Sequence, residues 1–315
     1  MSVIKLFPDI QFQRDIVAVE ALLPPELRHQ STVQIILLAL IEDLTPDNLT
    51  ESFADLIRNG DITSGPTIPT DKLLSGKITA KQAGVIAGLP VAEAVFKLVE
   101  PEIDFVTLVE DGTPMKEGQV AAEVNGPGRV LLTAERCALN FLGRLSGIAT
   151  LTNTYVREIE GTGAIVLDTR KTLPGFRRLD KYAVRMGGGR NHRMGLYDMV
   201  MIKDNHIDGA GGIRAAIDCV RQKHQDRYHI EVEVKDLLEL ETALKNNVDR
   251  IMLDNMDLAA MRQAVEYTQG RVLLEASGNV SLESIRKIAE TGVDYISIGA
   301  LTHSVPVFDF SMRLE

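Results

Sequence analysis

The chain has no tryptophan and only two cysteines in 315 residues, and its positive charge is in short supply, with a formal net charge of −10. Cys137 and Cys219 are too few for a disulfide framework or a thiolate metal site, and they suit a reducing compartment. The longest apolar run, Ile35 to Ile41, falls far below the roughly 18 residues that a membrane-spanning helix needs. The opening MSVIKLFPDIQFQRD lacks a basic segment followed by an apolar one, so no signal peptide is expected. These deficits predict a cytoplasmic protein without a membrane partner. The acidic balance argues against nucleic acid, whose binding requires a cationic footprint to displace counterions. Neither GxGxxG nor GxxxxGK[ST] occurs, so the usual dinucleotide and nucleoside-triphosphate loops are absent.

What is present is regular. Residues 1–30 show little apolar periodicity and a Leu-Pro-Pro turn, and are read as an arm lying on the surface. From Ser31, taken as a cap, Val33, Ile36, Leu37, Leu40, Ile41 and Leu44 recur at helical spacing. Between about Lys77 and Leu132 short apolar runs broken by Gly and Pro read as strands and hairpins, RVLLT among them. Thr133 then caps a long helical stretch that Gly143 and Gly147 are expected to bend. After Gly161, six strand-like runs (AIVLDT, MVMIKDN, HIEVEV, RIMLDN, RVLLEAS and YISIGA) are mostly separated by one helix each, which indicates a parallel βα array.

Nearly every run of that array ends in polar residues capable of chemistry. In a barrel all such ends converge on one mouth, whereas an open sheet spreads them along an edge, so a barrel, closed or incomplete, is the better reading. The segment Asp168–His206 carries nine cations against four acids, a local balance of +5 that leaves −15 for the rest of the chain. Arg170, Lys171 and Lys203 end strands, and His192 and Arg193 follow a glycine triplet, so this segment is expected at the mouth, binding an anion with several negative groups. His206 and His303 also follow strand ends and are expected to shape it, whereas Met201 is read as packing. Glu233 and Asp254 end successive strands. Their hard oxygens suit Mg²⁺ or Mn²⁺ shared with a substrate, or the hydroxyls of a sugar, with partnership to the basic cluster as the plain alternative. Ser277, Gly278 and Asn279, and then Gly299 and Ala300, end the last two strands, where backbone N–H groups of a barrel commonly hold phosphate.

TAERCALNFLGRLSGIAT, DTRKTLPGFR, KYAVRMGGGRNHRMGLYDMVMIKDNHI, EVEV, IMLDN, EASGN and SIGALTHS, in this order over residues 31 to 311, resemble the quinolinate phosphoribosyltransferases, also called nicotinate-nucleotide pyrophosphorylases (carboxylating). GDIT at Gly60–Thr63 is a further landmark. The resemblance implies an N-terminal α/β (α+β) domain over 31–139, joined by the tail 305–315, then an open, incomplete TIM-like α/β barrel over 140–304 that carries the active site. It implies quinolinate and 5-phosphoribosyl 1-pyrophosphate as substrates, Mg²⁺ (or Mn²⁺) as cofactor, and a homodimer or a higher assembly of dimers. It further implies that Arg136 (from the neighbouring subunit), Arg170, His192, Arg193 and Lys203 bind quinolinate, and that Lys171 faces the donor. Thr169 belongs to the same substrate-binding set. Glu233 and Asp254 would serve catalysis beside the donor's ribose and metal, and Ser277, Gly278, Asn279, Ile298, Gly299 and Ala300 would bind phosphate. The alternative within this fold is a paralogue of the type associated with molybdenum transport, acting on another anion. Arg136, Arg170, His192, Arg193 and Lys203 occurring together argue against it.

Overall fold

The structure, a computed structural model, describes residues 10–45 and 52–315. It divides into two compact units: one formed by the chain through Thr150 with Leu173–Gly187 and Val305–Glu315, the other by Leu151–Thr172 and Gly188–Ser304.

The first unit begins with α1 (Ile10–Leu22), α2 (Gln30–Leu44), α3 (Phe53–Asn59) and α4 (Ser64–Thr67). Of the arm expected over 1–30, residues 1–9 lie outside the described residues. Beyond them Ile16, Val19, Leu23 and Leu27 are buried at steps of three and four residues, so this stretch is core and not a surface lead-in. The interspersed polar residues mask that stripe in the sequence. The cap of α2 is His29, whose Nδ1 accepts from Ser31 N–H, and Ser31 itself sits in the first turn.

Next come β1 (Leu73–Ala80), β2 (Gly84–Val85), α5 (Leu89–Val99), β3 (Asp104–Thr107), β4 (Pro114–Met115), β5 (Val120–Pro127) and α6 (Gly128–Glu158), whose residues from Leu151 on belong to the second unit. The expected strand RVLLT is instead the first turn of α6. The branched and apolar residues there favour a strand locally, but a helix buries Leu131 and Ala134, three residues apart, on one face. Helix α5 is apolar nearly all round and buries Val91, Ala92, Val95 and Phe96, which is why its period does not stand out in sequence. Its first N–H groups, from Gly88 and Leu89, donate to the Asp111 carboxylate at 2.7 and 3.0 Å. The unit is completed by α7 (Arg177–Met186) and by β12 (Phe310–Leu314), which pairs antiparallel with β1 in a sheet ordered β12-β1-β5-β3. Gly143 and Gly147 of α6 make room for the segment before β12: a Cβ there would lie 2.8 Å from Phe308 O and 2.2 Å from Pro306 O. Close approach of the tail accounts for both glycines. Arg144, on the same helix, makes a bidentate pair with the fully buried Asp180 of α7 at 2.9 and 2.8 Å.

The second unit holds β6 (Ile165–Leu167), β7 (Val200–Ile202), β8 (Ile230–Val234), β9 (Arg250–Asp254), β10 (Leu273–Ser277) and β11 (Tyr295–Ser297). Between them lie α8 (Asp204–Ala210), α9 (Ile213–His224), α10 (Leu237–Lys245), α11 (Leu258–Thr268) and α12 (Leu282–Ala289), with α13 (Ala300–His303) after β11. All six strands are those expected. They form one parallel sheet ordered β6-β11-β10-β9-β8-β7, and Arg190 adds a single parallel bridge to Leu167 of β6. Among the described residues no strand joins that edge to β7. The array is therefore an open, incomplete α/β barrel whose edge strands are β6 and β7. No helix among the described residues is long and apolar enough to cross a membrane.

Candidate active site

The C-terminal strand ends of the second unit surround a cleft of about 700 Å³. The helices that follow begin immediately, so each strand-end side chain is left at the rim. Asp236 caps α10 through Leu238 and Glu239 N–H, and Asp257 caps α11 through Ala260 N–H. Fourteen of the fifteen residues singled out in the sequence line the cleft: Thr169, Arg170, Lys171, His192, Arg193, Lys203, Glu233, Asp254, Ser277, Gly278, Asn279, Ile298, Gly299 and Ala300. Arg136 does not; it is exposed on α6 in the first unit. Six further residues line it: Met201, Met252, Asn255, Val280, Ser297 and His303. His303 is thus at the mouth as expected. His206 is not, because its Nδ1 accepts from Lys203 N–H and closes the first turn of α8.

The electrostatics of the cleft are cationic on one side. Arg170 stands close enough to Arg193 that the two positive charges, together with partial burial as the larger cause, push the Arg193 guanidinium below its ordinary range. Arg170 Nε is buried without a hydrogen-bond acceptor among the described residues. Two mutually repelling guanidinium groups with an unsatisfied donor fit a planar anion. Lys203 Nζ lies 2.5 Å from Glu233 Oε2, so cation and carboxylate pair across adjacent strands. Opposite them, Lys171 packs beside Gly299, where a Cβ would come within 3.1 Å of its Cδ, and Lys171 O accepts from Thr302 Oγ1 at 2.7 Å.

Below this surface is a buried network that sequence patterning does not isolate, because its acids alternate with apolar residues like any strand. Glu231 and Glu275 are fully buried, and His192 Nε2 lies 3.0 Å from Glu231 Oε2 and 3.5 Å from Glu275 Oε2. Glu275 also accepts from Ser297 Oγ at 2.5 Å and from Arg250 Nη1 at 2.9 Å. Burial first, then the like charge of Glu231, pushes the Glu275 carboxyl up to about 7. The other ring nitrogen of His192, Nδ1, accepts from Arg193 N–H at 2.7 Å. His192 therefore faces the cleft with its ring turned into the barrel.

Two groups of residues offer oxygen or nitrogen to a cation. His192, Glu231 and Glu275 lie within ligand distance of one another, but the Glu275 oxygen nearest His192 already accepts from the Arg250 guanidinium. Glu233 and Asp254 present hard carboxylates at the cleft itself, which suits Mg²⁺ completed by phosphate oxygens. The +5 segment is divided by the fold. Arg170, Lys171, Arg193 and Lys203 reach the cleft, Arg177, Arg178, Lys181 and Arg185 belong to α7 of the first unit, and Arg190 lines a different hollow.

Family models match both parts of the chain: the quinolinate phosphoribosyl transferase N-terminal domain at residues 61–146 and the C-terminal domain at 148–313. A relative from Nicotiana tabacum, quinolinate phosphoribosyltransferase [decarboxylating] 2a, mitochondrial, is 44% identical over 81% of this chain and 78% of its own length. The probable nicotinate-nucleotide pyrophosphorylase [carboxylating] of Bacillus subtilis is 42% identical over 84% of this chain and 91% of its own. The crystal structure of NadC from Streptococcus pyogenes superposes with a TM-score of 0.83 at 39% identity, covering 89% of this chain and 95% of that one. With these matches spanning both units and the strand-end cleft built from the same motifs, the chain belongs to the quinolinate phosphoribosyltransferase family.

Proposed function

We infer that the protein transfers the phosphoribosyl group of 5-phosphoribosyl 1-pyrophosphate to the ring nitrogen of quinolinate, releasing pyrophosphate and CO₂ and leaving nicotinate mononucleotide, a step of NAD biosynthesis. The observation that carries this reading is the Arg170–Arg193 pair with its buried, unsatisfied Nε, a site for a dicarboxylate. Arg170, Arg193 and Lys203 bind the two carboxylates, His192 lines the floor beneath them, and Thr169 lines the same cleft. Arg136 is assigned to the cleft of a second copy, in a homodimer or a higher assembly of dimers. Lys171 faces the pyrophosphate donor, and the backbone N–H groups of Ser277–Asn279 and Ile298–Ala300 receive its phosphates.

In the first step the ring nitrogen forms its bond to the anomeric carbon as the bond to pyrophosphate breaks. Held at the correct distance by the cations, the nitrogen needs no base, since it attacks through its own lone pair. Glu233 and Asp254 stabilise the positive charge that develops on the ribose. They are also the residues that would hold Mg²⁺, which when bound neutralises the departing pyrophosphate. The nitrogen is then cationic, so the bond to the 2-carboxylate breaks with its electron pair left on the ring carbon, and CO₂ departs. A proton from solvent completes the product. Reduced Cys137 and Cys219 support a cytoplasmic location for the reaction. The test is release of CO₂ from quinolinate labelled at the 2-carboxylate, with and without donor and Mg²⁺. Donor-dependent release is expected, and its absence would refute the reading.

A further inference from the structure

Strands β9 and β10 both finish in left-handed backbone. Asn255 has φ +52°, and Gly278 and Asn279 have φ +99° and +50°. Such values are uncommon for residues with a side chain, and asparagine is among the few that tolerate them. All three residues line the cleft.

The two ends are fastened to each other through one side chain. Asn255 N–H donates to Ser277 O at 2.9 Å, extending the β9–β10 ladder one step past the Asp254–Ser277 pair. Its Nδ2 donates to Asp254 Oδ2 at 2.8 Å, and its Oδ1 accepts from Asn279 Nδ2 at 3.3 Å. The amide occupies the space above Gly278, where a Cβ would lie 2.1 Å from Asn255 Oδ1 and 2.6 Å from its Cγ. Glycine at 278 and asparagine at 255 are therefore one packing solution.

We propose that Asn255 is a positioning residue for the donor, its carboxamide locking the Asp254 carboxylate and the Ser277–Asn279 loop into a single rigid receptor for the ribose and phosphate. The proposal rests on the reading that Asp254 and this loop meet the donor. Of the two Asp254 oxygens, Asn255 engages Oδ2, which fixes the rotamer and so the direction in which Oδ1 is presented. Through Asn279 the same amide sets the path of the backbone N–H groups one strand away. A backbone held in a sparsely populated region on two neighbouring strands at one cleft is the pattern of a pre-organised site.

The plain alternative is that Asn255 merely supplies a left-handed turn. Asn255→Gly separates the two, because glycine takes the same φ at no steric cost but has no amide. A lost hydrogen bond to a charged group weakens binding by roughly tenfold or more. In Asn255→Gly the KM for the donor, and the Kd for inorganic pyrophosphate with Mg²⁺ measured by calorimetry, should both rise about tenfold, while the Kd for quinolinate stays within about twofold. Asn255→Asp, isosteric but without the donor and with a second charge beside Asp254, should show the same split. Asn279→Gly, which takes the same φ and cuts only the far end of the bridge, serves if the 255 variants fail to fold. Wild-type donor KM and pyrophosphate Kd in the variants would overturn the proposal, as would an equal loss of quinolinate affinity. A wild-type protein that releases no CO₂ would instead overturn the assigned reaction, so the two failures are distinguishable.

Discussion

Glu275→Gln converts the buried network beneath His192 into a measurable slope. In the native protein the Glu275 carboxyl keeps its proton up to about pH 7, whereas in the unfolded chain it ionises near its ordinary 4.5. Between these values the native state holds one proton more than the unfolded state, so stability falls as pH rises across the window. The loss is about 1.4 kcal/mol per pH unit and about 3 kcal/mol in all. Below 4.5 both states are protonated and above 7 both are ionised, and the contribution to the slope vanishes. Glutamine binds no proton there. The melting temperature of the variant minus that of the wild type, measured by calorimetry from pH 5 to 8, should therefore climb by several degrees and then level off. A difference that is flat across that range would refute the account of Glu275 as a protonated core acid.

Two further predictions concern charge on either side of the division between units. Arg170→Ala should abolish quinolinate binding in calorimetry with the circular dichroism spectrum unchanged; near-normal affinity would remove the dicarboxylate pocket. Asp180→Ala strands the Arg144 guanidinium beside a gap in the first unit and should cost about 3 kcal/mol, lowering the melting temperature, with quinolinate affinity unchanged. Loss of quinolinate affinity without loss of stability would contradict a purely structural role.

The site was more legible than the charge distribution that first drew attention to it. Strand ends such as Glu233, Asp254 and Ser277 could be placed together from sequence because parallel strands in a curved βα array all deliver their last residues to one rim. The +5 segment could not be apportioned the same way. Arg178 and Lys181 look in sequence like Arg170 and Arg193, but α7 carries them into the other unit, where Arg178 donates to Glu26 O. Composition reports how much charge a segment holds, and only the backbone path reports its address. Helix α5 and the core position of residues 16–27 are hidden for opposite reasons: one is apolar nearly all round, the other apolar on a narrow stripe. Asn255 is legible as a polar strand-end residue, but its tie to Gly278 and Asn279 is not, because a left-handed φ leaves no mark in a single sequence.

The pairing of β12 with β1 bears on how the protein is made. Lys77 reaches Glu315 at 2.9 Å across a sequence separation of 238 residues, and the ladder between them is part of the sheet of the first unit. That sheet acquires its edge partner only after every strand of the second unit has been synthesised. Until then the edge of β1 is unpaired and Gly143 and Gly147 face no tail, leaving a template open to strands of other chains. Contacts so distant in sequence are slow to form, since a long loop must close before they stabilise anything. The first unit is thus the first to be synthesised and the last to receive all its strands, and the interval before β12 pairs is when the β1 edge is open to aggregation.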